Sequence, residues 1–190
     1  FVAEQVEIMQ DVPFERYVFL YHLVPYPMGH GVEHKNSTSI VAGPANFDNP
    51  GFYGGFLGVT AHEFFHVWNV ERIRAEAIYH PDYSKENYTS MMWIHEGITS
   101  YYTSLTMVRA GLLDADRYFR SMARTFQNYD DDYARTVTSV AMTSWDSWTK
   151  TGEAPPHTYY SFYQAGNVLG FLLDLEVRGR TGNEKSLDDV

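Results

Sequence analysis

The run His62–His66, in which Glu63 follows the first histidine, constrains this chain more than any other part of its sequence. Residues four apart lie on one face of an α-helix, so both imidazoles project from the same side and the glutamate stands at its edge. The flanking residues 56–61 and 67–70 are mostly apolar and contain no proline, which predicts a buried helix. This spacing is typical of a zinc site with two imidazole ligands and a neighbouring proton acceptor.

A core helix whose histidines bond to the main chain is the alternative interpretation of this run. It is less favoured, because Glu63 would then be a buried charge without a partner. One class of zinc proteins takes its third ligand from a histidine shortly after the motif. Asn69 and Arg72 occupy the positions where that class needs a glycine and the third histidine, so the class is excluded.

A glutamate on a second helix is the other usual source of a third ligand. Glu96 is the best candidate, because it follows His66 by thirty residues, enough for a loop and a returning helix to bring its carboxylate back. Five other residues remain less favoured as third ligands, because each lies in a loop, on the first helix itself or on a different face of the second helix from Glu96. They are His80, Asp82, Glu71, Glu76 and His95.

Composition narrows the class of protein. With 190 residues and 44% hydrophobic content, the chain suits one domain with one substantial core. The formal net charge of −10, with no cluster of lysine or arginine, argues against a nucleic-acid partner. The absence of cysteine excludes disulfides and thiolate metal sites, and no apolar run approaches the ~18 residues of a membrane span. Because the chain lacks an initial methionine and Ser186 resembles a helix N-cap near its end, we expect a fragment of a longer protein.

The predicted elements place strands first and helices later, which favours the α+β class. The early elements are the end of a helix in the first ten residues, a strand over 16–24, a turn at 28–31, a strand over 32–41 and a loop over 42–55. Helices are predicted around the histidines, from the region of Glu96 to about Arg109, from Asp114 to about Tyr129 and from about Tyr159 to Arg178. We therefore expect one domain over residues 1–190, with a strand lobe over about 1–55 and a helical lobe over about 56–190.

Four separated motifs resemble the catalytic domain of the glycyl aminopeptidase family of metallopeptidases, which belongs to the gluzincins. They occur in the family's order over roughly residues 15–190: Gly31–Ser37, then Gly55–Arg74, then Trp93–Gly97, then Tyr163–Gly166 with Leu173–Leu175 and Ser186–Asp189. The resemblance implies a thermolysin-like zincin fold, with a small N-terminal sheet, a helical lobe and an active-site cleft between them.

The resemblance also implies roles for particular residues. One zinc ion would be held by His62, His66 and Glu96. Glu63 would accept a proton from the metal-bound water and pass it to the leaving amine. Tyr163 matches the family's tyrosine that donates to the oxyanion, and Tyr159 and Tyr160 are alternative donors.

Substrate binding is expected at Gly31 and Glu33. In related aminopeptidases the residue matching Glu33 binds the free α-amino group of a peptide, which implies an exopeptidase. The same strand could instead bind a longer peptide along its edge, which would give an endopeptidase. Asn69 and Ser100 are expected to orient the zinc ligands.

The resemblance implies an aminopeptidase that removes small N-terminal residues, glycine or alanine, from peptides. The alternatives are a zinc endopeptidase and a peptide-binding module with impaired catalysis, the latter because Ala165 stands where the family commonly has lysine. Ala75 likewise replaces a common proline. The family also implies further domains in the full-length protein, an N-terminal β domain and a C-terminal PDZ-like domain, and favours a periplasmic or secreted location.

Overall fold

A computed structural model describes residues 1–150 and 157–190. Three strands form one sheet: β1 (Val18–Leu23), β2 (Met28–His34) and β3 (Ser37–Gly43). Their spatial order is β1-β3-β2, with β3 parallel to β1 and antiparallel to β2. Both β1 and β2 are therefore edge strands of this sheet.

Helices make up most of the remaining described chain. They are α1 (Val2–Met9), α2 (Pro50–Phe65), a π-helix (Trp93–Ile98) that continues into α3 (Thr99–Arg109), α4 (Ala115–Asp131), α5 (Val140–Trp145), α6 (Ser147–Lys150) and α7 (Phe162–Arg180). Three short 3₁₀ turns lie at Glu76–Ile78, Tyr133–Thr136 and Leu187–Asp189. The predicted order of strands before helices is confirmed, and the protein is α+β. Among the described residues, no helix combines the length and apolar character that crossing a membrane requires.

Two of the predicted boundaries are wrong. The expected turn at 28–31 is part of β2, and the expected strand over 32–41 is two strands joined by a turn at 35–36. The glycines of this segment suggested a turn, but they lie within a strand that packs closely on α2.

The expected loop over 42–55 is also wrong from residue 50 onward, because α2 begins at Pro50. The side chain of Asn49 caps the helix by accepting hydrogen bonds from the main-chain nitrogens of Gly51 and Phe52, at 2.8 and 3.3 Å. Proline at the first helical position costs no hydrogen bond, so this is a stable start. The glycines of its early turns concealed the helix in the sequence pattern.

The chain divides into two compact units, of which the first comprises residues 1–73 and 102–115. It extends past residue 55, where the strand lobe was expected to end, because α2 packs on the sheet. The ring of Phe64 lies at the centre of its core, and five other aromatic rings pack around it at centroid distances of 4.9 to 6.3 Å: Phe1, Phe14, Tyr17, Phe19 and Trp68. These contacts hold α2 against the N-terminal segment.

One face of the sheet packs on α2. Every second residue of β3 is buried there: Thr38, Ile40 and Ala42. Residues paired directly across two strands lie on the same face, so the register places Gly29, Gly31 and Glu33 of β2 beside them. β2 thus presents to the helix side two positions without side chains and one carboxylate.

The second unit comprises residues 74–101 and 116–190. Its π-helix crosses α7 at two glycines. A Cβ added to Gly97 would lie 2.3 Å from the Cα of Gly166, and one added to Gly166 would lie 2.1 Å from the main-chain oxygen of Trp93. The two helices therefore touch backbone to backbone.

A buried carboxylate organises the end of this unit. Asp174 accepts hydrogen bonds from the hydroxyl of Tyr101 at 2.8 Å, Nε of Arg178 at 2.9 Å and the main-chain nitrogen of Leu187 at 2.7 Å. Burial opposes its charge, but these bonds and the guanidinium outweigh that effect and lower the pKa of Asp174. Ser186 caps the final 3₁₀ turn with a capping box, which confirms its predicted role as an N-cap.

Candidate active site

The predicted two-histidine helix is α2, which ends at Phe65 with His66 as its C-cap. The rings of His62 and His66 meet edge to face, with centroids 4.7 Å apart. The two residues between Glu63 and His66 face the core: Phe64 lies among the aromatic rings and Phe65 stacks on Tyr102 at 4.8 Å. Core packing thus fixes the rotation of the helix and keeps both imidazoles together on another side.

The protonation form of His66 follows from its hydrogen bond. The ring is 1% exposed, and its Nδ1 lies 2.6 Å from the main-chain oxygen of Asn69. A carbonyl oxygen can only accept a hydrogen bond, so Nδ1 carries a proton, and in the neutral imidazole Nε2 then carries the lone pair. Metal-binding histidines in proteins usually have their other N–H held in this way. Asn69 contributes its main-chain carbonyl to this contact.

Glu63 is 6% exposed and lies directly under β2. A Cβ added to Gly31 would stand 2.4 Å from Oε1 of Glu63 and 2.5 Å from its Cγ and Cδ. The strand can pass this close to the carboxylate only because position 31 has no side chain. Gly31 therefore defines the space in which the Glu63 side chain rests.

Glu33 lies two residues further along the same face of β2. Its carboxylate, that of Glu63 and one ring nitrogen of His66 are all within 4.8 Å of one another. Two carboxylates at this separation repel each other unless they share a cation or a proton. The cluster can therefore accept a metal ion or the ammonium group of a ligand.

Tyr17 is a neighbour of this cluster that the sequence did not reveal. Burial raises the pKa of its phenol, and the charges of Glu63, Glu33 and Glu71 raise it further. Its hydroxyl is buried and has no hydrogen-bond partner among the described residues. Tyr17 is thus a neutral donor beside an acidic cluster. In the sequence it is one aromatic among several in a predicted strand, so no local signal marked it.

The second unit carries the remaining predicted site residues. Glu96 lies within the π-helix, a rare element that occurs often at functional sites. The hydroxyl of Ser100 donates to the main-chain oxygen of Glu96 at 2.8 Å, so this bond supports the helix itself. Tyr163 lies in the first turn of α7, is 43% exposed and stacks on Phe162 at 4.8 Å. Their roles in catalysis stay predictions.

Two of the less favoured metal ligands have structural partners of their own. Asp82 is an exposed loop residue whose carboxylate accepts hydrogen bonds from the nitrogen and hydroxyl of Ser84, at 3.0 and 2.7 Å. These bonds lower the pKa of Asp82. The buried His95 accepts at Nε2 from the main-chain nitrogen of Ala75, at 3.3 Å. Both side chains therefore support local structure.

The alternative tyrosine donors differ from Tyr163 in their surroundings. Tyr160 is buried in a small cluster with Ala134 and Ala165, and burial raises its pKa to about 12. Burial also raises the pKa of Tyr159. Ala165 is itself fully buried, so packing accounts for a small side chain at this position.

Comparison with known proteins identifies the family. The M61 glycyl aminopeptidase family matches residues 55–169, which is more than half of the chain. The matched region includes α2 from residue 55 onward with the histidine motif, the π-helix and the start of α7. The chain therefore belongs to the M61 glycyl aminopeptidase family, and the family predicted from the four motifs is confirmed.

A solved structure supports the same fold. The crystal structure of an aminopeptidase N family protein from Idiomarina loihiensis matches with a TM-score of 0.88 and 28% sequence identity. The match covers 98% of this chain and 33% of that chain, so our chain spans about a third of the length of this relative. No curated protein sequence matches the chain significantly.

Proposed function

We propose that this chain contains the catalytic centre of a zinc-dependent aminopeptidase that removes glycine or alanine from the N-terminus of peptides. The observation that carries the proposal is the cluster of Glu33, Glu63 and a ring nitrogen of His66, all within 4.8 Å of one another. It combines a site for a cationic amine with a proton acceptor and a metal-binding group. Membership of the M61 glycyl aminopeptidase family supports the reaction and the preference for small residues.

Three residues form the proposed zinc site: His62, His66 and Glu96. Two imidazoles and one carboxylate are a ligand set that catalytic zinc uses, with a remaining position for water. The paired rings of His62 and His66, and the lone pair on Nε2 of His66, fit this role. When bound, zinc lowers the pKa of a coordinated water to ~7 and polarises the scissile carbonyl.

Glu63 is the proposed general base and acid. Its carboxylate accepts the proton of the attacking water and delivers it to the leaving amine. Its buried position beneath Gly31 leaves little freedom for the side chain, so the carboxylate is held in place before the substrate binds. Tyr163 is the proposed donor to the oxyanion, and such a hydrogen bond typically contributes ~2.7–4 kcal/mol.

Glu33 is the feature that favours an exopeptidase. In an amino acid the amine nitrogen and the carbonyl carbon are only about 2.5 Å apart, as the bond lengths require. An ammonium group bound to Glu33 would therefore place the first peptide bond close to Glu63, whose carboxylate is within 4.8 Å. The positive charge would also relieve the repulsion between the two carboxylates. A peptide with a blocked amine lacks this charge.

Cleavage of free and N-acetylated peptides tests the proposal. The zinc-loaded full-length protein should release alanine from Ala-Gly-amide and leave the acetylated peptide intact. Replacement Glu63→Gln should lower kcat about 10²- to 10⁴-fold, because it removes the proton acceptor. Glu33→Gln should raise KM about 10- to 100-fold, the usual effect of losing a charged hydrogen bond. Glu7→Gln, an exposed glutamate on α1, serves as the matched control and should change neither value.

Other outcomes would identify the alternatives. Equal cleavage of free and acetylated peptides would mean an endopeptidase. Peptide binding without cleavage in the zinc-loaded protein would mean a binding module. Metal analysis of His62→Ala and Glu96→Ala tests the ligand set separately, since each variant should retain much less than one zinc per chain. Full zinc content in Glu96→Ala would contradict the proposed third ligand.

A further inference from the structure

A cavity of about 260 Å³ lies between the sheet and the first three turns of α2. Its sheet wall is formed by the start of β2 and the end of β3, and its helix wall includes Phe52, Gly55, Phe56 and Val59. Most of these groups are apolar. The whole cavity belongs to the first compact unit.

Glycines create the open space in this cavity. A Cβ added to Gly29 on β2 or to Gly55 on α2 would meet nothing within 4 Å. Gly31, on the same face of β2 as Gly29, is the opposite case, because its missing side chain is replaced by Glu63. The same strand therefore uses one glycine to seat the carboxylate and another to leave a space.

The cavity is in line with the proposed catalytic groups. Along one face of β2, Glu33, Gly31 and Gly29 follow one another at steps of two residues, which correspond to ~6.8 Å each. Along α2, the residues Phe52, Phe56, Val59 and Glu63 recur at helical spacing and share a face. On β2 the order is the proposed amine site, the position beside the proton acceptor and then the cavity, and on α2 the proton acceptor likewise follows the cavity residues along one face.

The volume matches one side chain. An apolar cavity of ~150 Å³ is large enough to hold benzene, whereas pockets for drug-sized ligands measure ~300–1,000 Å³. At about 260 Å³, this cavity has room for a leucine or phenylalanine side chain. It is too small for a second peptide segment.

We propose that this cavity binds the apolar side chain of the residue that follows the cleaved bond. The inference rests on the proposed aminopeptidase function, because Glu33 as the amine site sets the direction of the substrate. A peptide that starts at Glu33 and is cleaved beside Glu63 continues toward Gly29 and the cavity. The specificity of the enzyme would then include a large apolar residue in the second position of the substrate.

Two dipeptide amides test the inference in the full-length zinc-loaded protein. Ala-Phe-amide should have a kcat/KM at least tenfold higher than Ala-Gly-amide, as expected for burial of a large apolar group. Gly55→Leu should fill the cavity and reduce this ratio to about one, mainly by lowering the value for Ala-Phe-amide. Leucine suits a helix interior better than glycine does, so the variant should fold.

Gly54→Leu is the matched control, because Gly54 is the preceding residue of α2, does not line the cavity and has open space at its Cβ. It should keep the wild-type ratio. An unchanged ratio in a folded, active Gly55→Leu protein would overturn the inference while leaving the aminopeptidase function intact. A ratio near one between the kcat/KM values of the two amides in the wild-type protein would overturn the inference as well.

Binding of the two dipeptide amides to the Glu63→Gln variant tests the cavity independently of catalysis. In this background, calorimetry should show at least tenfold tighter binding of Ala-Phe-amide than of Ala-Gly-amide, and Gly55→Leu should abolish the difference. If the wild-type protein cleaves neither peptide but this preference is present, the proposed function fails and the cavity assignment stands. If binding shows no preference, the cavity assignment fails.

Discussion

In the first unit, α2 is held by large aromatic rings around Phe64, whereas in the second unit the π-helix is held against α7 by two residues without side chains, Gly97 and Gly166. Each of these elements carries residues of the proposed zinc site. The aromatic cluster derives its stability from buried area spread over several rings. The glycine crossing depends on main-chain atoms that cannot move aside. The packing of α2 should therefore be damaged by losing atoms, and the crossing of the π-helix with α7 by gaining them.

The largest expected effect is the loss of the central ring. Phe64→Ala should lower the free energy of unfolding by about 3–5 kcal/mol, because it removes buried area and leaves a cavity among the surrounding rings. Urea unfolding followed by near-UV circular dichroism measures this change. Phe119→Ala, at a 59% exposed position on α4, should cost less than about 1 kcal/mol. Similar losses in both variants would contradict the central position of Phe64.

A single added methyl group should damage the second unit. Gly166→Ala should lower the free energy of unfolding by about 1–3 kcal/mol, because its Cβ would overlap the main chain of Trp93 and force the helices apart. The control is Gly179→Ala on the same helix, where the Cβ meets nothing within 4 Å. That variant should gain up to about 1 kcal/mol, as alanine favours helix. Equal changes in the thermal stability of Gly166→Ala and Gly179→Ala would contradict the importance of the glycine crossing.

Gly31→Ala is the corresponding addition in the first unit, but here the added atom meets the buried side chain of Glu63 and not main-chain atoms. The Glu63 side chain must shift to make room, which should lower the free energy of unfolding by about 1–3 kcal/mol. Because the proton acceptor is then misplaced, kcat should fall about 10- to 100-fold. Gly58→Ala on α2, with open space at its Cβ, should preserve kcat in the same peptidase assay. An unchanged kcat in Gly31→Ala would show that the position of Glu63 is not set by this contact.

The smallest expected effect concerns acid stability of the second unit. The lowered pKa of Asp174 means that its contribution to folding is complete above the unfolded-state value of ~3.9 and is lost as the pH falls through the lower folded value. Unfolding measured between pH 7 and pH 2 should show this loss. In Asp174→Asn, the part of the acid sensitivity due to this group should be absent. An identical pH profile in the variant would assign the acid sensitivity to other carboxylates.

The sequence predicted much of the helical part, for reasons that are local. Apolar periodicity located α4, α7 and the helix that follows Glu96, and the spacing of His62 and His66 placed both on one face of α2. The sheet was predicted less well, because the glycines at 29 and 31 resemble those of a turn. Only the packing of β2 against α2 shows why glycine is needed inside the strand at position 31.

By itself, the sequence determined the residue types and spacings that chemistry requires: two histidines one helical turn apart, a glutamate beside them, and caps at Asn49 and Ser186. Such features depend on interactions within a few residues, so they can be predicted locally. The tertiary structure decided that Glu33 and Tyr17 lie near Glu63, that Asn69 holds His66 through its main chain and that a side-chain-sized cavity adjoins Gly29. These contacts follow from strand register and close packing between distant segments, which no short stretch of sequence specifies.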